Sequence, residues 1–163
     1  RLYVSAVWGA IGIMKLYLAH PIATRHEMRK WEQEFEKRTS ILLDNPFYDT
    51  DRQDVHLIDQ GKQTPFGATL DFRGIVHDDL AKIDVSDGLV ASVDKEVPSI
   101  GTFMEIWYCG IQKDKPVFIV SPNWSTHPWL RYVVDESDGF IVKSWEEFER
   151  RIVRRKKRRI NND

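Results

Sequence analysis

One cysteine, Cys109, is present in 163 residues. A single thiol excludes an internal disulfide and any multi-cysteine zinc site, and it fits the reducing cytoplasm. Long apolar runs are scarce. The stretch from Val4 to Ile13 comes nearest, yet it is too short to span a bilayer and no small-residue cleavage site follows it. No membrane partner is expected. The G-x-x-x-x-G-K-[ST] loop, a G-x-G-x-x-G after a strand and the G-x-S-x-G elbow are all missing. That removes the ordinary mononucleotide, dinucleotide and serine-hydrolase sites. The five histidines show no H-x-x-x-H spacing, and His77-Asp78-Asp79 has no second ligand cluster. Neither a metal nor a cofactor is therefore expected.

The chain does have apolar material: 42% of it is hydrophobic, with six Trp and eight Phe, enough for the core of one domain. Its charge is segregated. Residues 1–149 carry 16 basic and 24 acidic side chains, whereas eight Lys and Arg crowd into 150–159. Such a run can attract a polyanion. A body this acidic is unusual for a dedicated nucleic-acid binder, so nucleic acid is not expected as the main partner and the run reads as a solvated helix end. Residues 1–13 are taken as an upstream extension, 14–152 as a single domain and 153–163 as a basic tail.

Lys15 to Ala19 reads as a short buried strand ended by Pro21. Thr24 and Glu27 form a capping box before a helix with Met28, Trp31 and Phe35 on one stripe. Further strands are expected at Ile41–Leu43, Gly88–Val93, Pro116–Val120 and Phe140–Val142. Helices are expected at about Ile75–Ile83, at Gly101–Gln112 and after a second capping box at Ser144 and Glu147. The segment from Asn45 to Gly74 is long and polar, a length that in compact domains usually serves function. Continuous apolar strands alternating with amphipathic helices predict an α/β chain: a doubly wound, flavodoxin-like or Rossmann-like three-layer sandwich on a mainly parallel five-stranded sheet. Ligands in such sheets bind outside the carboxyl ends of the strands. That directs attention to His20, Pro21, Asn45, Asp94 to Gly101 and Ser121 to His127.

Among these, Pro98-Ser99-Ile100-Gly101-Thr102-Phe103-Met104-Glu105-Ile106 is the most informative. Free backbone N–H groups where a strand's loop feeds a helix make an anion site, and Ser99 adds a hydroxyl. Glu105, one turn in, is a candidate nucleophile or base. Thr102 to Glu105 is also an S/T-x-x-E capping box, so spacing alone leaves both readings open.

From Lys15 to about Ile152 the chain resembles the nucleoside 2-deoxyribosyltransferase-like family. That family includes the transferases and the deoxynucleoside 5′-monophosphate N-hydrolases. The match rests on Leu16-Tyr17-Leu18-Ala19-His20-Pro21-Ile22, on Asp79, on the Ser86-Asp87 step into an apolar strand, and on Pro98 to Ile106. The resemblance implies that Glu105 is the nucleophile, that Asp79 contacts the sugar and assists proton transfer, and that Tyr17 orients the glutamate. Ser99 matches the position where the monophosphate hydrolases have a phosphate-binding serine and some transferases an acidic residue; Gly101, in the anion site, and Asp94, just after a strand, are further substrate-binding candidates from their place in the chain. The resemblance also implies a homo-oligomer, dimer or tetramer, in which His127 lies where a neighbouring subunit completes the site. A small nucleoside or nucleotide is the implied substrate. The chain departs from the pattern at His20, where the family usually has glycine, a change that would narrow the base pocket. The family's carboxylate-bearing C-terminus has no match in the basic tail.

Overall fold

The computed structural model describes residues 13–48 and 71–161. Strand β1 (Met14–Ala19) leads through a 3-10 turn (Ile22–Thr24) into α1 (Arg25–Thr39) and β2 (Ile41–Asp44). After a second 3-10 turn (Pro46–Tyr48) and α2 (Phe72–Val85) come β3 (Leu89–Ser92) and α3 (Ile100–Trp107), which runs into a π turn (Tyr108–Gln112). Then follow β4 (Val117–Val120), α4 (Pro128–Glu136), β5 (Phe140–Val142) and α5 (Trp145–Ile160). The five strands are all parallel, in the order β2-β1-β3-β4-β5. This is the flavodoxin-like order, with its switch point between β1 and β3.

Alternation along the strands sorts the core into two layers. Leu16, Leu18, Val90, Phe118 and Phe140 face α1 and α5, where they meet Phe35, Phe148 and Ile152. Tyr17, Ala19, Leu89, Ala91, Val117 and Ile119 face α2, α3 and α4, where they meet Ile83, Ile106, Cys109 and Val133. Gly88 makes the close approach of β3 to the loop before β4 possible: a Cβ there would sit 2.6 Å from the Pro116 carbonyl oxygen. Among the described residues no helix is long and apolar enough to cross a membrane.

Several local expectations are corrected. Thr24 does not cap α1; its hydroxyl donates back to the Pro21 carbonyl, closing the 3-10 turn at 3.0 Å. Helix α2 begins at Phe72 rather than Ile75, because Asp71 caps it by accepting from the Gly74 N–H at 2.9 Å. Helix α3 begins at Ile100 because Ser99 is its N-cap, accepting from the Thr102 N–H at 3.4 Å. Thr102 therefore lies inside the helix, and Glu105 is not the acid of a capping box. At Ser144 half of the expected box is formed: its hydroxyl accepts from the Glu147 N–H, while the Glu147 carboxylate accepts from the Lys143 N–H at 3.5 Å. Helix α4 had no counterpart in the sequence reading; Pro128 opens it and Leu130, Val133 and Val134 bury its inner face. Residues 153–160 continue α5 as one helix. Of the expected upstream extension only Ile13 is among the described residues, and of the segment 45–74 only 45–48 and 71–74 are.

Candidate active site

Tyr17 is fully buried in β1, an inner strand of the sheet, its ring on the side of α2 to α4. Its hydroxyl donates to Glu105 Oε1 at 2.8 Å, across 88 residues of sequence. A buried phenol of this kind usually requires a partner; here the partner is a half-buried carboxylate on α3. With one oxygen held, the other is fixed in direction. The pair sits beside the switch point, since Tyr17 is in register with Leu89 of β3 and Asp44 of β2.

Ser99 and Gly101 stand at the amino end of the same helix. The Ser99 oxygen accepts from the helix, which leaves its own hydrogen able to donate outward. A Cβ at Gly101 would meet nothing nearer than Ser99 Oγ at 4.0 Å, so packing does not demand glycine there and the helix end stays uncovered. Asp79 lies half-buried on α2, the helix that flanks β1 on the same side of the sheet. Asp94 follows β3 and accepts from Asn123 Nδ2 at 2.7 Å, which ties the loops after β3 and β4 together. That hydrogen bond holds its carboxyl below the usual range.

His20 is placed differently from the expectation of a pocket-lining residue. It is 2% exposed and points to the α1 side. Its Nδ1 lies 3.0 Å from the Pro21 carbonyl and its Nε2 3.0 Å from Asn45 Oδ1, with the Phe47 ring edge-on at 4.9 Å. Asn45 Nδ2 in turn donates to Glu32, which also pairs with Arg29. Burial pushes the His20 imidazole down and the Glu32 carboxyl up. This chain ties the ends of β1 and β2 to α1. Nothing in the spacing of residues 20, 32 and 45 signals it.

The Ser86-Asp87 step lies at the opposite, amino end of the strands. Asp87 accepts from the Lys15 N–H at 2.9 Å, and Ser86 donates to the Lys82 carbonyl. Both fix the start of β3 and stand away from the carboxyl ends.

His127 lines a cavity of about 320 Å3 with Phe103, Ile106, Trp107, Trp124, Trp129, Leu130 and Val133. The cavity opens between α3 and α4, on the helix that carries Glu105. Trp124 lies 5.9 Å from Phe103 and 5.6 Å from His127, ring to ring. The His127 Nδ1 is buried without a hydrogen-bond partner in the described structure. Among the described residues no cluster of His, Cys, Asp and Glu could hold a metal.

With this geometry in view, solved structures give the comparison that matters. A 2-deoxyribosyltransferase from Bacillus psychrosaccharolyticus aligns at TM-score 0.54 and 21% identity, over 83% of this chain and 90% of that one. The two share a fold. A conserved protein from Enterococcus faecalis V583 aligns at TM-score 0.58 and 18% identity, over 90% and 99% of the two chains. A CMP N-glycosidase from Clostridium botulinum aligns at TM-score 0.49 and 18% identity, over 85% and 97%. The sequence matches no family model and no curated protein. The fold is thus shared with the first two of these chains, and the chemistry must be argued from Tyr17, Glu105 and their surroundings.

Proposed function

We propose that the chain cleaves the N-glycosidic bond of a 2′-deoxynucleoside or its 5′-monophosphate and passes the sugar to water or to another base. The Tyr17–Glu105 hydrogen bond carries this reading. A core strand has no packing need for a phenol oxygen, and here that oxygen holds a carboxylate beside the switch point.

The steps follow the logic of retaining glycosidases. A carboxylate oxygen of Glu105 attacks C1′ while the C1′–N bond breaks, and the electron pair of that bond leaves on the base. Asp79 or a water supplies the proton that the departing base needs. The resulting deoxyribosyl ester is opened at C1′ by water or by a second base, which returns Glu105 as a carboxylate. A 5′-phosphate would sit at Ser99 and the first N–H groups of α3, where hydroxyl and helix dipole both favour an anion.

The chain works as a homo-oligomer in this proposal. Ile100, Met104, Trp129 and Tyr132 are 82%, 68%, 65% and 50% exposed. They surround the cavity on α3 and α4, and such an apolar face suits a subunit contact that brings His127 to a shared site. The decisive experiment incubates the protein with each deoxynucleoside and each deoxynucleotide, with and without an added acceptor base, and measures free base by chromatography. Release of free base from at least one substrate is expected. No release from any of them would overturn the reading.

A further inference from the structure

Helix α5 uses its cations in two ways. Three of them fasten it to the body. The Arg151 guanidinium lies 4.1 Å from the centre of the Phe140 ring. Arg155 bridges Asp138 at 2.7 Å. Lys156 Nζ donates to the Thr39 and Ser40 carbonyls at 3.2 and 3.1 Å, closing the end of α1. Arg150, Arg154, Lys157 and Arg158 do none of this. All four are exposed, and none meets a carboxylate among the described residues, although the chain carries 25 acidic side chains. Arg150, Arg154 and Arg158 follow one another at i, i+4 and i+8, so they form a straight outward row at intervals of about 6 Å, with Lys157 beside it.

We propose that this outer row of α5 binds the phosphate backbone of a nucleic acid without reading its sequence. The helix dipole explains cations only in the last turn, and Arg150 and Arg154 lie before it. A membrane surface is the competing polyanion. An amphipathic helix binds a membrane by burying its apolar face, and that face is already committed here: Phe148 and Ile152 are fully buried in the core and Trp145 packs against it. Three of the four cations are arginines, whose planar fork suits phosphate oxygens. No aromatic residue lies between Arg150 and Ile160, so there is nothing on the row to stack bases. The surface is separate from Tyr17 and Glu105, and it serves whatever the site does.

The test is fluorescence anisotropy of labelled single-stranded and duplex oligonucleotides titrated with the full chain at several salt concentrations. Vesicles of phosphatidylserine and phosphatidylcholine serve as the contrast. Four phosphate contacts predict that log affinity falls with log salt at a slope of about −3 to −4, a loss of roughly a hundredfold between 50 and 200 mM. The variant R150Q/R154Q/R158Q should reduce the slope to about −1 and cost at least tenfold in affinity at low salt, with circular dichroism unchanged. Binding that survives the triple variant with its salt slope intact would overturn the proposal. So would the absence of oligonucleotide binding at 50 mM salt, or tighter binding to the vesicles than to either oligonucleotide.

Discussion

The two faces of the sheet are built to different rules. Under α1 and α5 the layer is closed: the rings of Phe35, Phe118, Phe140 and Phe148 pack against one another, and apart from Ser92 at the end of β3 the strand residues directed there are apolar. Under α2 to α4 the layer admits oxygen and empty space. Tyr17 brings a hydroxyl into the core, Thr102 holds a buried hydroxyl without a partner in the described structure, and a cavity separates α3 from α4. Protein interiors normally avoid all three features. The α1 side buries polar groups too, but His20, Asn45 and Glu32 are there joined in one hydrogen-bonded chain, so the contrast lies between a tied network on one side and a cavity beside the Tyr17–Glu105 pair on the other.

Substitutions can break that contrast. The largest effect should come from Glu105→Ala, which removes the proposed nucleophile. Free-base release should fall roughly 10³-fold or more while the protein stays folded, with about 1–3 kcal/mol of stability lost because the buried Tyr17 hydroxyl loses its Glu105 bond. A collapse of the midpoint with activity per folded molecule preserved would return Glu105 to a structural role. Phe148→Ala on the closed face should do the reverse. Urea titration should show a loss of about 3–5 kcal/mol, with kcat of the folded fraction kept. Tyr17→Phe tests the boundary itself, since it keeps the ring and deletes one oxygen. A hydrogen bond to a charged group is worth about 1.5–3 kcal/mol, so kcat should drop about tenfold to a hundredfold. An unchanged kcat would mean that the phenol merely satisfies itself on the carboxylate.

Two smaller effects sharpen the picture. Ser99→Ala should lower kcat/KM for a 5′-monophosphate about tenfold to a hundredfold and leave the matching free nucleoside nearly unchanged, apart from about 1 kcal/mol of lost helix capping seen as a lower midpoint. Equal losses on both substrates would make Ser99 a cap and nothing more. Cys109 should be silent. Burial pushes its thiol up to about 12, so it stays protonated through pH 9, and a thiol reagent should label it only upon unfolding. Rapid labelling of the native protein would show that the α2 to α4 layer opens.

The parallel sheet was legible because its strands are short apolar runs bounded by Gly, Pro and polar residues, and all five were found within about a residue of their observed bounds. Helix α4 was not, because its inner residues Leu130, Val133 and Val134 follow so closely on the Ser125 to Pro128 turn that the whole stretch reads as loop. Tyr17 and Glu105 could be paired in advance only through the family resemblance; no periodicity links positions 88 residues apart. The same resemblance placed His20 in a pocket wall. In the structure His20, the residue after β1, continues the alternation of Leu16 and Leu18 and is buried toward α1, where Asn45 meets its ring nitrogen and in turn donates to Glu32. Even positions along that strand face the closed layer, a count that was available in the sequence.

The π turn after α3 reaches beyond its own five residues. A π turn holds one residue more than an α turn, so the 108–112 stretch behaves as a single-residue insertion between the helix of Glu105 and strand β4. A relative that closed this turn as ordinary α-helix would be one position shorter there. Any alignment that ignored the gap would match every residue from β4 onward to its wrong neighbour, while leaving Pro98 to Ile106 correctly matched. Chains of this fold are therefore best compared in two separate blocks, broken between Trp107 and Lys113.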